Sequence, residues 1–124
     1  MPLRCLIVDD NSDFLQTAGE LLRRDGFDVV GVASNTADAL ARAAELEPDL
    51  ALVDVYLGDE DGIDLARRLT SGADGVRCPV ILISTYAEAD LGNATEPLPA
   101  AGFVRKTRLS GTAIRRVLEA AGGR

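Results

Sequence analysis

Four apolar runs in this chain end against a polar group that can do chemistry. Arg4-Cys5-Leu6-Ile7-Val8 is followed by Asp9-Asp10, Leu50-Ala51-Leu52-Val53 by Asp54, Val80-Ile81-Leu82-Ile83 by Ser84, and Gly102-Phe103-Val104-Arg105 by Lys106. Three carboxylates gathered in one crevice repel each other, and all stay ionised only if a cation joins them. With oxygen donors alone that cation is a hard ion such as Mg²⁺, which takes one or two carboxylates, keeps several waters and binds phosphate oxygens. A carboxylate can also attack phosphorus to form an aspartyl phosphate. That reaction asks the protein mainly for positioning and charge neutralisation, which a metal, the Lys106 ammonium and the Ser84 hydroxyl would supply. Taken singly, Asp54 reads as a turn or cap aspartate, Ser84 as a strand-end cap and Lys106 as a solvated lysine. At the ends of four of five strands they read as a site.

The composition removes several competitors. The chain has no histidine, which excludes Ser-His-Asp and Cys-His nucleophilic systems and imidazole metal sites. Its 20 acidic against 13 basic residues, a formal charge of −7, argue against nucleic acid binding by the domain itself. No apolar run approaches membrane-spanning length, and Met1-Pro2-Leu3-Arg4 does not begin a signal peptide, so a cytoplasmic protein is expected. Cys5 and Cys78 look like small core residues, and a disulfide between them is the less favoured reading. The 124 residues fit one domain, 1–124, with the last predicted helix running nearly to Arg124 and no output domain expected.

The elements that must position these groups alternate regularly. After the first strand, Phe14, Leu15, Ala18, Leu21 and Leu22 recur at helical spacing, with Asp13 in the first turn and Gly26 at the end. Phe27 to Val32 is the second strand. Ser34-Asn35-Thr36 offers caps for a helix expected to bury Ala37, Leu40, Ala41 and Ala44, and Pro48 closes that unit. The third strand, Leu50 to Gly58, is continuously apolar around Asp54, as in a parallel sheet buried on both faces. A helix carrying Ile63, Leu65, Ala66 and Leu69 follows, ended by Ser71-Gly72 and Asp74-Gly75. The fourth strand is Pro79 to Ser84. Residues 85–101 are irregular, broken by Gly92, Asn93, Pro97 and Pro99. The fifth strand, Gly102 to Arg105, precedes Leu109-Ser110, a hydrophobic staple and N-cap for a last helix burying Ile114, Val117, Leu118 and Ala121. Five such units imply an α/β fold, a doubly wound five-stranded parallel sheet with helices on both faces, whose crevice lies where the strand order reverses.

On that frame the chain resembles the receiver domain of bacterial two-component response regulators over nearly its whole length. The resemblance rests on Asp9-Asp10, Asp54, Ser84 and Lys106 at the family's separations and strand ends. It implies a flavodoxin-like strand order, 2-1-3-4-5, and a phosphorylation-controlled signalling switch. Asp54 would accept a phosphoryl group from a partner histidine kinase or phosphotransfer protein. Asp10 would bind Mg²⁺ directly and Asp9 chiefly through water, with Asp54 and the Tyr56 main-chain carbonyl as further ligands. Lys106 and Ser84 would assist the transfer, and Ser84 and Phe103 stand at the family's two switch positions. Asp61-Gly62 matches its usual opening of the third helix. Beyond its own phosphotransfer and autodephosphorylation, the resemblance implies no enzyme. It also implies a protein target or a homodimer on the face of the fourth helix, fifth strand and fifth helix, without direct nucleic acid or membrane binding.

Four positions depart from the family pattern: Gly58 and Thr107 stand where proline is common, Thr85 is bulkier than the usual alanine or glycine, and the fourth helix is weakly written. A degenerate receiver acting as a constitutive interaction module is the alternative. A phosphohydrolase using Asp54 is weaker, because Tyr56 stands where such enzymes carry a second aspartate. Nucleotide or flavin binding is weaker still, since acids and not glycines follow the first strand. From residue 105 onward Arg105, Lys106, Arg108, Arg115, Arg116 and Arg124 face only Glu119, so an acidic or isologous partner surface is expected there.

Overall fold

The computed structural model describes residues 2–85 and 100–122. In chain order the elements are β1 (Arg4–Val8), α1 (Ser12–Arg24), β2 (Asp28–Ala33), α2 (Thr36–Leu46), β3 (Leu50–Asp54), the short β4 (Tyr56–Leu57) and β5 (Glu60–Asp61), α3 (Gly62–Ser71), β6 (Val80–Ser84), β7 (Gly102–Arg105) and α4 (Gly111–Gly122). The main sheet is parallel, ordered β2-β1-β3-β6-β7. This is the expected order, since β4 and β5 form only a separate antiparallel pair.

Alternate residues of each strand point to opposite faces, and here both faces are covered. Leu6, Val8, Val53, Val80 and Leu82 pack with Ala39, Ala43, Leu65 and Leu69 of α2 and α3. Cys5, Ile7, Leu52, Ile81 and Ile83 pack on the other side with Ala18 and Leu22 of α1 and Ile114 of α4. Every residue of β3 and β6 is buried, so a strand-length run of apolar residues with no polar alternation is what the position demands. Cys5 and Cys78 are buried and free, one in each of these two clusters. Burial pushes their thiols up, to about 12 for Cys5 and about 11 for Cys78, so both remain protonated core residues.

Local signals set the helix ends. Asn11 Oδ1 accepts from the N–H groups of Asp13 and Phe14, Asn35 Oδ1 from Asp38, and Asp61 Oδ1 from Ile63 and Asp64, the usual N-cap geometry. Ser110 Oγ accepts from Ala113 N–H, with Leu109 and Ile114 both buried beside it, as the staple predicts. Gly72, at φ +76, ends α3 in the left-handed conformation.

Three expectations need correction. The buried face of α2 is Ala39 and Ala43, while Ala37, Ala41 and Ala44 are exposed; in an alanine-rich helix every face is weakly apolar, so composition does not fix the phase. The third strand stops at Asp54, and the chain then turns through β4 and β5. Of the apolar residues expected to be buried by the last helix, Ile114 is fully buried and Val117, Leu118 and Ala121 are half-buried. Residues 86–99 of the irregular segment, where the fourth helix is expected, lie outside the described residues.

Candidate functional site at the carboxyl edge of the sheet

Strand register brings the chemistry together. Val8 pairs with Val53, so Asp9 leaves β1 level with Asp54 at the end of β3. Asp54 in turn pairs with Ile83, and Ser84 with Arg105, one residue before Lys106. One oxygen each from Asp9, Asp10 and Asp54 lies within 4.8 Å of the other two. Lys106 Nζ lies 2.5 Å from Asp9 Oδ2 and 3.2 Å from Asp54 Oδ2. Ser84 is fully buried and lines, with Asp54, Tyr56 and Thr85, an open cleft of about 400 Å³. Every carboxylate, hydroxyl and ammonium singled out in the sequence thus arrives at one rim. Phe103 does not line that cleft. It is half-buried against the α2–α3 side of the core and opens onto a separate groove of about 580 Å³ with Arg105, Arg108, Thr112, Arg116 and Val117.

Backbone contacts fix the carboxylates before any ligand binds. Asp9 Oδ1 accepts from Asn11 N–H at 2.9 Å, and Asp54 Oδ1 accepts from Tyr56 N–H at 3.3 Å, which draws the Tyr56 main chain beside the acid. The main chain at Asp54 is also overlaid by Gly62, whose N–H donates to the Val55 carbonyl. A Cβ on Gly62 would lie 1.8 Å from the Asp54 carbonyl oxygen, so the Asp61-Gly62 pair has a steric reason: α3 can start over the site only without a side chain there.

The electrostatics are those of a crowded anionic crevice. Burial raises the Asp54 carboxyl above its ordinary range and the neighbouring Asp9 charge adds to the rise, while Lys106 and the Tyr56 N–H oppose it. Burial alone would lower the Lys106 ammonium, but its contacts with Asp9 and Asp54 outweigh this and hold it above the usual lysine range. Asp9 is completely buried. Its Oδ2 has the close lysine but no hydrogen bond of good direction, so charge attraction holds the contact and a buried acceptor is still available to a cation. An all-oxygen donor set, one member solvent-exposed and one with an unsatisfied oxygen, fits a hard divalent ion that keeps some of its water.

Several participants carry no clear sequence signal. Asn11 could have been found as an N-cap one turn before an apolar helix face. Glu60, whose Oε1 accepts from Thr36 N–H at 2.6 Å and so ties the β4–β5 turn to α2, could not. Nor could Phe14, whose ring centroid lies 4.5 Å from Lys106 Nζ. Arg115, though exposed, is tied to the fold. Its guanidinium donates to the Asp25 carbonyl and stacks on Phe27, while Asp25 Oδ2 accepts from Gly111 N–H at the start of α4.

The response regulator receiver domain family matches residues 5–118 of the chain. Among characterised relatives, a protein-glutamate methylesterase/protein-glutamine glutaminase of Myxococcus xanthus is 35% identical over 106 residues, which is 85% of this chain and 30% of that protein. The transcriptional regulatory protein PdtaR of Mycobacterium tuberculosis is 31% identical over 91 residues, 73% of this chain and 43% of that protein. The chain therefore spans less than half the length of either relative. The receiver domain of a modulated diguanylate cyclase from Desulfovibrio desulfuricans G20 superposes with a TM-score of 0.78 at 30% identity, covering 98% of this chain and 94% of that one. None of the described helices is long and apolar enough to cross a membrane. With its strand order, its acidic crevice and this match, the chain belongs to the response regulator receiver domain family.

Proposed function

We propose that the domain is a phosphorylation-controlled switch in which Asp54 is the phosphoacceptor. The observation that carries this reading is the convergence of Asp9, Asp10 and Asp54 on one point with Lys106 in contact with two of them. An Asp54 carboxylate oxygen attacks the donor phosphorus, the donor's bond to phosphorus breaks, and an acyl phosphate forms. Since the chain has no histidine, a phosphohistidine donor belongs to a partner kinase or phosphotransfer protein. Asp10, Asp54 and the Tyr56 main-chain carbonyl would hold Mg²⁺ directly and Asp9 chiefly through water, and the ion would supply positive charge against the phosphoryl oxygens. Lys106 screens the negative charge that gathers on the transferred group, and the Ser84 hydroxyl, at the edge of the same cleft, donates to it.

The added phosphoryl oxygens draw the Ser84 hydroxyl and give Phe103 space to repack, which biases a two-state surface. Having no phenolic hydroxyl, Phe103 differs between its two positions by packing alone. The partner docks on the face of β7 and α4 around the Phe103 groove. In a cytoplasmic signalling protein this domain is a control element and not a separate enzyme.

Intact mass after incubation with Mg²⁺ and a small acyl phosphate tests the reading. The wild type gains one phosphoryl group, while the chelated sample and Asp54→Ala gain none. Modification of Asp54→Ala, or of wild type in chelator, would sink it. Ser84→Ala is phosphorylated but no longer changes partner binding.

A further inference from the structure

We infer that Phe14 is a positioning residue for Lys106, its ring face holding the ammonium over the acidic crevice. This rests on the reading of Asp54 as phosphoacceptor and adds a residue to it. Among the described residues the ammonium has three neighbours: Asp9 Oδ2, Asp54 Oδ2 and the Phe14 ring, 4.5 Å from its centroid. Lysine is a point charge on a flexible stem, so where it rests depends on what surrounds it. Two of its three neighbours are oxygens of the same acids that a divalent ion would take. Once those carboxylates turn to a metal, they no longer hold the lysine. The ring does, because a cation is attracted to the aromatic quadrupole and no metal competes for it. The ammonium then stays within reach of a group added to Asp54.

The turn between β1 and α1 makes this arrangement rigid. Asp9 Oδ1 accepts from Asn11 N–H, and Asn11 Oδ1 accepts from Phe14 N–H at 3.2 Å. Asp9 and Phe14, both in contact with the ammonium, are thereby set by one short hydrogen-bonded path. Phe14 is half-buried against the α1–α4 side of the core. Packing accounts for an apolar residue at that position, which leucine would satisfy; it does not call for a ring face under a charge.

The experiment separates the two. In wild type the Lys106 ε-methylene protons carry an upfield ring-current shift by NMR, with and without Mg²⁺. Phe14→Leu removes the shift and slows Asp54 phosphorylation by a small acyl phosphate about three- to thirtyfold at saturating donor, the range of a cation–π contact. Phe14→Tyr keeps both the shift and the rate. In a Lys106→Ala background Phe14→Leu slows phosphorylation no further, since the two residues act as one unit. A Phe14→Leu protein that phosphorylates like wild type, an equal loss in the Lys106→Ala background, or a Lys106 signal without a ring-current shift in the presence of Mg²⁺ overturns the inference. Failure of wild type itself to be phosphorylated overturns the Asp54 reading instead, and the ring-current comparison still decides the placement of the lysine.

Discussion

Two ion-paired clusters in this molecule look alike in distance and differ in almost everything that decides their value. Arg68 binds Asp74 through Nε and Nη2, both at 2.8 Å, on the open surface at the far end of α3. Lys106 meets Asp9 and Asp54 at similar distances, but Asp9 is fully buried and Asp54 nearly so. On the surface water already solvates both partners, so bringing them together gains little. In the crevice the acids have lost their water, one cation is shared between two of them, and removing it leaves charge with nowhere to go. Good geometry is therefore a poor guide to importance, and burial with an unequal count of charges is a better one.

The largest expected effect that would break this contrast is at Lys106. Lys106→Ala should destabilise the fold by about 3 kcal/mol in chelator, the usual size for stripping the partner from a buried charge, and Mg²⁺ should restore more stability to it than to wild type. Urea midpoints with and without Mg²⁺ measure both. Equal midpoints for wild type and variant in chelator would mean the crevice behaves like a surface.

Asp54→Asn should act in the opposite direction and raise the midpoint in chelator at neutral pH. Because the folded carboxyl titrates above its unfolded value, its contribution is favourable below the unfolded value of about 3.9 and is lost as pH rises through the folded one. The advantage of the variant should thus be small near pH 4 and grow toward pH 7. A constant difference across that range would show that burial does not tax this acid.

A smaller effect is expected at Asp10, the exposed member of the acid set. Asp10→Asn should leave stability in chelator nearly unchanged and reduce the rise in melting temperature that Mg²⁺ gives. An unaltered Mg²⁺ response would remove Asp10 from the ligand set. Smallest of all, Arg68→Ala should produce no resolvable change in melting temperature, and none in Asp54 phosphorylation.

The same contrast explains what could be read from the sequence. Asp9, Asp54, Ser84 and Lys106 were legible because each ends a run of apolar residues that only a buried parallel strand needs, and parallel strands deliver their ends to one edge. The phase of α2 was not, because Ala37, Ala39, Ala41, Ala43 and Ala44 offer no contrast in hydrophobicity. The contact of Arg115 with Phe27 and Asp25 is set by how α4 docks beside the end of α1, which helical period does not encode. Phe14 under Lys106 is of the same kind. Such pairs are long-range facts, and no local pattern writes them.

The crevice also has a place in the order of folding. Its acids and its lysine stand at the ends of the first, the third and the last described strands, and the Asp9–Lys106 contact spans nearly the whole described sequence. Such a contact closes a very long loop, and its entropy must be met before the contact rewards it. It therefore belongs on the native side of the folding barrier, where a stabilising interaction slows unfolding and leaves the folding rate alone. A cation bound there would act as a clasp that shuts only on a finished sheet, lengthening the life of the folded protein without hastening its birth.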